Sequence, residues 1–246
     1  MKTGLYIIGD EILSGRRQDK HFDKILAALK QRGHTLAWTA LLSDDMEVLI
    51  RHFEQSFARD EFVISAGGIG GTPDDLTRHA VAAALGTGLV PHPEGVSILR
   101  NKYGDEPTSL RRRMVEFPRG ATLIPNPVNQ VPGFSVKQHH FVPGFPEMAW
   151  PMCEWVLDRY GSLSEDPPLE IAVRVIDTYE SLVIPLMEKV MQAFPQVKVF
   201  SLPSISDNHR DVELGVRGEP ELAERAFTLI EEGLAELNVK YEKINH

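Results

Sequence analysis

Hydrophobic positions in the first 70 residues of the chain follow two alternating patterns. Apolar runs at Leu5–Ile8, Thr35–Leu42 and Phe62–Ala66 predict strands, and the unbroken runs are typical of strands buried on both faces. Between them, apolar residues recur at helical spacing in residues 22–33 and in Met46–Ala58. This alternation predicts right-handed crossovers, and therefore an α/β fold with three α/β/α layers and a mostly parallel sheet.

The pattern is weaker between residues 74 and 161. A helix is expected over residues 74–85, followed by a less regular stretch to about residue 107. The remaining predicted elements are a short strand at Thr122–Ile124, a strand pair at Phe134–Lys137 and His139–Val142, and a helix through Trp150, Trp155 and Leu157. The first domain is expected to cover residues 1–161.

A second, smaller domain is expected over residues 169–246. Residues 161–168 are small, polar and proline-rich, which is typical of a linker. The elements predicted beyond it are a strand at Leu169–Ile176, a helix at Ser181–Phe194, strands at Val197–Leu202 and Val212–Val216, and a helix at Pro220–Leu237. This β-α-β-β-α order predicts an α+β unit with one helical layer on a small sheet.

Composition excludes several classes of protein. The chain has 246 residues, of which 42% are hydrophobic and 25% charged, as in ordinary globular proteins. A net charge of -9 opposes nucleic-acid and anionic-membrane partners. The single cysteine, Cys153, cannot form an intramolecular disulfide, and neither a signal peptide nor an apolar run of about 20 residues is present. We therefore expect a cytoplasmic protein without a membrane anchor.

Three loops follow predicted strands and carry candidate chemistry. They are Gly9–Glu11, Gly67–Asp75 and Pro143–Glu147. Because ligands of open parallel sheets bind outside the carboxyl ends of the strands, the three loops predict one shared pocket.

The second of these loops is the strongest candidate for binding a phosphate. Gly67, Gly68, Gly70 and Gly71 lack the Cβ atoms that would block a ligand, and their backbone N–H groups can face an anion. No Lys-Ser/Thr pair follows, and Pro73 stands where the last glycine of a dinucleotide fingerprint would fall. The loop therefore lacks the sequence signatures of P-loop proteins and of dinucleotide-binding folds.

Thr72–Asp75 allows two interpretations. Thr72 as N-cap, Pro73 as first helical residue and Asp75 as capping-box partner would begin a helix. Alternatively, Asp74 or Asp75 binds a ligand, and since two carboxylates there compete with a bare phosphate, a divalent cation is expected. Asp10 could likewise hold a metal, accept a hydrogen bond from a ring N–H or stabilise its turn.

Other polar residues are assigned mainly structural roles. Arg111–Arg113 form a solvated helical face, with phosphate clamping as the alternative. His139 and His140 are hairpin residues, Cys153 is a packed thiol, and no spacing matches a structural zinc site.

The assembled motifs resemble the molybdenum-cofactor biosynthesis (MoCF, MoaB/MogA-like) domain family, and within it the N-terminal domain of the competence/damage-inducible protein A (CinA) branch. The residues that carry the resemblance are Gly9–Gly15, Gly67–Thr77, Asn126–Val128, Pro132–Phe134 and Pro143–Met148. Two positions depart from that branch. Gly71 replaces its usual proline, and Met114 stands in its Asn-Arg-x-Gln segment.

The resemblance implies a pocket for molybdopterin, another pterin phosphate or a nucleotide. In the CinA branch it implies a metal-dependent pyrophosphatase for ADP-ribose-like dinucleotides, and the alternative is a molybdopterin-binding protein without hydrolysis. The residues assigned to catalysis and to the divalent metal are Asp75 and Asp10, and those assigned to the ligand are Gly67, Gly68, Gly70, Gly71, Thr72, Asp74, Pro143, Gly144 and Pro146.

The resemblance extends to the second domain, which is similar to the KH-like domain of those proteins. RNA binding is not expected, because this domain is acidic and a polyanion would be repelled. The chain ends before the deamidase domain of longer members, so no deamidase activity is expected. A homo-oligomer, either dimer or trimer, is expected from the family.

Overall fold

The computed structural model describes residues 2–104, 108–161, 167–206 and 209–244. The chain divides into two compact units, Met1–Ser164 and Glu165–His246. Most of the linker predicted at residues 161–168 lies outside the described residues, because 162–166 are not among them.

The first unit alternates strands and helices along the chain. Its strands are β1 (Lys2–Ile8), β2 (Thr35–Leu42), β3 (Phe62–Ala66), β4 (Leu89–Pro91), β5 (Glu116–Pro118), β6 (Thr122–Ile124), β7 (Gly133–Val136) and β8 (His139–Val142). Its helices are α1 (Asp10–Leu13), α2 (His21–Gln31), α3 (Met46–Ala58), α4 (Thr77–Ala84), α5 (Pro93–Tyr103), α6 (Ser109–Arg112) and α7 (Pro146–Tyr160), and a 3-10 turn covers Arg113–Val115.

A six-stranded sheet in the order β2-β1-β3-β8-β7-β6 forms the centre of this unit. β2, β1, β3 and β8 pair in parallel, whereas β7 is antiparallel to both β8 and β6. β4 and β5 form a separate two-stranded sheet. The predicted α/β class with a mostly parallel sheet is confirmed.

The two faces of the sheet have separate hydrophobic cores. Along β1, Tyr6 and Ile8 belong to the core that includes α3 and α4, whereas Leu5 and Ile7 belong to the core that includes α2 and α7. Successive side chains of a strand point to opposite faces, so both sets are apolar only when both faces are covered. This explains the unbroken apolar run of β1.

Two helices depart from the sequence prediction. The helix predicted from Asp74 begins at Thr77, because residues 72–75 form a separate turn before it. The stretch predicted as irregular contains α5, which buries only Gly95 and Leu99 and therefore has little apolar periodicity.

The second unit is a four-stranded antiparallel sheet with two helices. Its elements are β9 (Leu169–Val175), α8 (Glu180–Ala193), β10 (Lys198–Ser206), β11 (His209–Gly218), α9 (Pro220–Glu236) and β12 (Tyr241–Ile244), with strand order β10-β11-β9-β12. The expected β-α-β-β-α order is present, and β12 extends it to a split β-α-β plait. Side chains from both helices and from the sheet form its hydrophobic core.

Among the described residues, no helix combines the length and the apolarity that crossing a membrane requires.

Candidate functional site

A cavity of about 440 Å³ lies at the carboxyl ends of β1, β3 and β8. The three loops singled out from the sequence contribute to its walls, together with the loop after β2 and residues 126–132 before β7. Its volume is in the range of small-molecule sites in proteins. We call it the glycine-loop cavity, after the Gly67–Thr72 segment that lines it.

The backbone of Gly67 and Gly68 requires glycine. Their φ angles are 112° and 67°, and a Cβ at Gly67 would lie 2.1 Å from the carbonyl oxygen of Ile8. Thr77, the first residue of α4, holds both, since its hydroxyl donates to the Gly67 carbonyl at 3.0 Å and its N–H to the Gly68 carbonyl at 3.0 Å. The loop is therefore fixed to the strand before it and the helix after it.

Asp75 folds back over the loop. Its Oδ2 accepts the backbone N–H of Thr72 at 2.9 Å and also accepts the Thr72 hydroxyl. A Cβ at Gly70 would lie 2.3 Å from the same oxygen. A side chain at Gly70 would therefore displace the Asp75 carboxylate, a reason for glycine that is internal to the protein and differs from the ligand access inferred from the sequence.

The prediction that Thr72 and Asp75 cap the start of α4 is wrong. The Thr72–Asp75 hydrogen bond has the pairing of a capping box, but the turn that it closes ends before α4 begins at Thr77. Asp75 therefore shapes the loop instead of capping the helix. The same carboxylate lines the cavity, so this structural role does not remove it from the site.

Arg78 supports the loop from inside the protein. The side chain is only 2% exposed, and its guanidinium donates to the carbonyls of Gly70, Arg113 and Glu116. Burial lowers the pKa of this group, while the nearby charges of Asp75 and Glu116 oppose that shift. One buried cation therefore joins the glycine loop to the segment between α6 and β5.

Asp44, in the β2–α3 connection, lies beside the glycine loop, since its Oδ1 would be 3.3 Å from a Cβ at Gly68. Its Oδ2 accepts the N–H of Asp10 at 3.1 Å, and its own N–H donates to Asp10 Oδ1 at 3.3 Å. Burial raises the pKa of the Asp44 carboxyl, partly offset by the N–H of Asp10. The charges of Asp10, Glu11 and Asp74 raise this pKa further.

Comparison with known proteins identifies the family of this unit. A family model described as a probable molybdopterin binding domain, MoCF_biosynth, matches residues 4–161. The chain belongs to the MoCF family.

Relatives of this MoCF protein fall into two length classes. A CinA-like protein of Anaeromyxobacter dehalogenans is 32% identical over 199 residues, covering 78% of this chain and 49% of the relative. A protein of Pyrobaculum calidifontis is 31% identical over 206 residues, covering 80% of this chain and 78% of the relative. The chain thus spans about half the length of the CinA-like relatives that it matches.

A solved structure has the same fold in its MoCF domain. The protein CinA of Thermoplasma acidophilum, described as being of unknown function, has a TM-score of 0.59 and 25% identity. The match covers 65% of this chain and 98% of that chain. The recognition of a CinA-type MoCF domain from the sequence motifs is confirmed.

Most of the predicted site residues meet in one place. Those that line the glycine-loop cavity are Gly67, Gly68, Gly70, Gly71, Thr72, Asp74, Asp75, Pro143 and Gly144. Asp10 and Pro146 are not part of its lining, and this corrects the expected pairing of Asp10 with Asp75. Asp10 is instead held by Asp44, whose carboxylate faces the cavity in its place.

Sequence reasoning did not assign Asp44, Arg17 or Asn126 to the lining of the cavity, and it did not assign Arg78 to the support of the glycine loop. A signal existed for Asp44, because it follows the end of a parallel strand at the same edge of the sheet as the three loops. No local signal marks Arg78, whose contacts are with residues distant in sequence.

Carboxylates are the majority of the charged side chains that line the cavity. Glu11, Asp44, Asp74 and Asp75 all line it, against one cationic lining residue, Arg17. Within the described ranges, no three His, Cys, Asp or Glu side chains are grouped so that they could hold a metal alone. Mg²⁺ commonly binds through one or two carboxylates and the phosphates of its ligand, which needs no such group.

The two histidines and the cysteine that were assigned structural roles from the sequence do not line this cavity. His139 and His140 are buried in β8, with ring nitrogens 2.8 Å from the Ser56 and Ser135 hydroxyls. Cys153 is buried, and burial raises the pKa of its thiol to about 12, so it is not a nucleophile.

Proposed function

We propose that the MoCF domain binds a phosphorylated heterocycle, either a pterin phosphate or a nucleotide, in the glycine-loop cavity together with a divalent cation. The observation that carries the proposal is the meeting of the glycine loop and four carboxylates around one cavity of about 440 Å³. The family's description as a probable molybdopterin binding domain supports a pterin ligand.

The loop supports the phosphate part of the ligand. Its backbone is fixed by Thr77 and by the buried guanidinium of Arg78, so its conformation does not have to be ordered when a ligand binds. Arg78 also places a positive charge behind the loop, at its Gly70 carbonyl, and Arg17 adds a second charge from the wall of the cavity. Both attract an anion.

The carboxylates support the cation. A phosphate brought close to Glu11, Asp44, Asp74 and Asp75 would be repelled by them in a medium of reduced dielectric constant. A divalent cation shared between the phosphate and one or two of these side chains converts that repulsion into attraction. Asp75 is the best placed, because Thr72 holds its carboxylate over the loop.

Hydrolysis of a pyrophosphate is the second candidate function. It is favoured by the number of carboxylates, since one or two suffice to bind Mg²⁺ and four line the cavity. A divalent cation would neutralise charge on the pyrophosphate. Asp44, with a pKa raised by burial, would accept a proton from water more readily than an ordinary carboxylate.

Calorimetric titration tests the binding proposal. AMP, ADP-ribose and neopterin phosphate are added to the full chain with and without Mg²⁺, and at least one is expected to bind more tightly with Mg²⁺. Asp75→Asn retains an oxygen for the Thr72 N–H but removes the charge, and it should weaken the Mg²⁺-dependent part by about tenfold. Asp45→Asn is the matched control, because Asp45 caps α3 and does not line the cavity.

The outcomes separate the two functions. Absence of binding by all three compounds overturns the proposal, as does an equal loss in Asp75→Asn and Asp45→Asn. Hydrolysis is tested by chromatography of ADP-ribose incubated with the protein and Mg²⁺ or Mn²⁺. If the protein hydrolyses ADP-ribose, the wild-type protein forms AMP and the Asp44→Asn protein does not. Binding without any AMP formation leaves a non-hydrolytic binding protein.

A further inference from the structure

Phe145 is an exposed aromatic side chain on the wall of the glycine-loop cavity. Its side chain belongs to a residue that is 56% exposed, and among the exposed large hydrophobic residues of the described part of the chain it alone lines this cavity. We propose that the Phe145 ring stacks on the planar ring of the ligand, so that this residue determines a preference for aromatic phosphates over sugar phosphates. The inference rests on the proposed function and adds the orientation of the ligand in the cavity.

The lining of the cavity changes in chemistry along the sheet, whose strand order is β2-β1-β3-β8-β7-β6. All charged side chains of the lining, the four carboxylates and Arg17, come from segments that follow β1, β2 or β3. On the other side, Phe145 and Met148 follow β8, and Val131 and Pro132 precede β7. A ligand whose phosphate and cation lie among the charged groups therefore directs its ring toward the side of β8 and β7.

The backbone that carries Phe145 is fixed before any ligand binds. The buried His21 ring donates from Nε2 to the Gly144 carbonyl at 3.1 Å, and the Phe145 carbonyl accepts the N–H of Met148 at 3.0 Å. A Cβ at Gly144 would lie 3.4 Å from the Cα of Gly67, so this loop adjoins the glycine loop. An exposed ring on a fixed backbone can bind a ligand at little cost in ordering.

Two methionines extend the surface that Phe145 offers to a ring. Met148 follows Phe145 by three residues at the start of α7, which places the two side chains next to each other. Met114 lines the cavity beside the glycine loop, since a Cβ at Gly71 would lie 3.2 Å from its Cγ. Thioethers make favourable contacts with aromatic rings and adapt to their shape. A sugar phosphate without a ring gains none of these contacts.

Exposure alone does not single out Phe145, because exposed apolar side chains are common on protein surfaces. Leu13, Leu41 and Leu110 of the first unit are exposed as well, and none of them lines the cavity. Phe145 differs from them in its position, on the uncharged side of a cavity whose other side holds the carboxylates. Position and exposure together support a role in ligand binding.

The test compares ligands that differ in the aromatic ring, by calorimetry on the full chain with Mg²⁺. AMP is compared with ribose 5-phosphate, and neopterin phosphate with glycerol 3-phosphate. In at least one pair the wild-type chain should prefer the ring-bearing ligand by about fivefold or more, because stacking of a base on an aromatic side chain is worth that much. Phe145→Leu should remove most of this preference, whereas Phe145→Tyr, which keeps the ring, should retain it.

Tyr179→Leu is the matched control, since Tyr179 is also an exposed aromatic residue, at 62%, and does not line the cavity. This variant should keep the wild-type preference. If a ligand without the ring gives no measurable heat, the loss of affinity for its ring-bearing partner in Phe145→Leu and the recovery in Phe145→Tyr decide the question.

The outcomes separate this inference from the proposed function. If AMP or neopterin phosphate binds and Phe145→Leu keeps the wild-type preference, stacking on Phe145 is refuted while the proposed function stands. A loss that Phe145→Tyr does not restore, that Tyr179→Leu shares, or that affects both ligands of a pair by the same factor refutes it as well. If AMP, ADP-ribose and neopterin phosphate all fail to bind the wild-type chain, the proposed function fails and the stacking fails with it.

Discussion

Two sets of buried polar side chains in the first unit differ in what they hold in place, Arg78 in α4 and the histidine pair in β8. Arg78, beneath the glycine loop, binds three backbone carbonyls and fixes the wall of the glycine-loop cavity. His139 and His140, in β8, bind the Ser56 and Ser135 hydroxyls and pack among aromatic rings. Both sets are almost fully buried. Burial of a polar side chain therefore does not by itself identify a binding site. What distinguishes the two sets is the group that each side chain holds: the carbonyls of a cavity wall for Arg78, and hydroxyls inside the protein for the histidines.

Among these substitutions, replacing Arg78 should cause the largest loss of stability. Arg78→Met leaves three carbonyls without their donor, and we expect a loss of roughly 3–5 kcal/mol in the free energy of unfolding. Arg78→Lys should restore little, because an ammonium cannot reproduce the planar fork of the guanidinium. Urea denaturation measures both.

Arg100→Met serves as the control, since Arg100 is exposed in α5 and its loss should change stability by about 0.5 kcal/mol or less. Equal stability of the Arg78→Met and Arg100→Met proteins would show that Arg78 is not the support of the loop.

The histidine pair should make the first unit sensitive to acid. Burial lowers the pKa of His139 to about 3 and that of His140 to about 4, so both are neutral in the folded protein at pH 5. In the unfolded chain they take up protons below about pH 6.5, and stability therefore falls as the pH drops from 7 to 5, by about 2 kcal/mol for each histidine.

Urea denaturation at pH 7 and pH 5 measures this change. A double variant with His139→Gln and His140→Gln should show a smaller loss between the two pH values, each protein being compared with itself at pH 7. His79→Gln is the control, because His79 is exposed in α4. An unchanged pH dependence in the double variant would contradict the argument.

Gly70 tests whether the loop is shaped by its own carboxylate. Gly70→Ala places a Cβ 2.3 Å from Asp75 Oδ2, so the carboxylate must move, and we expect a loss of about 1–2 kcal/mol in stability. In an Asp75→Ala background the same substitution should cost less, with a coupling of about 0.5 kcal/mol or more in a double-mutant cycle.

Gly88→Ala is the matched control, because a Cβ there meets no atom within 4 Å. Additive effects of Gly70→Ala and Asp75→Ala would mean that Gly70 is required by something other than the carboxylate.

The fold could be predicted where the signal is local. β2, α3 and β3 have the bounds that apolar spacing alone indicates. The start of α4 could not be predicted, because Thr77 is held there by the carbonyls of Gly67 and Gly68, which belong to the loop after β3. α5 was missed because it buries too few side chains to show a helical period.

The candidate site follows the same rule: residues that are contiguous in sequence could be predicted, and residues that meet only through the fold could not. The glycine loop is a continuous run of residues, and its position after a buried strand was sufficient to find it. Asp44 and Arg78 act through residues that are distant in sequence, namely Asp10 and the Arg113–Glu116 segment. Their roles depend on the sheet order and the packing of α4, which residue spacing does not contain.

The smallest expected effect concerns the pH dependence of cation binding at Asp44, and it separates a site carboxylate from a structural one. Because burial raises the pKa of Asp44, a larger share of this side chain is protonated at pH 5 than for an ordinary aspartate. A cation binds the ionised form, so Mg²⁺-dependent ligand affinity should rise from pH 5 to pH 7, by a few-fold at most.

Calorimetry at both pH values measures the rise, with circular dichroism confirming that the protein stays folded at pH 5. The rise should shrink in Asp44→Asn and persist in Asp45→Asn, whose wild-type side chain caps α3. An equal rise in both variants would place the titrating group elsewhere and leave Asp44 with the structural role of holding Asp10.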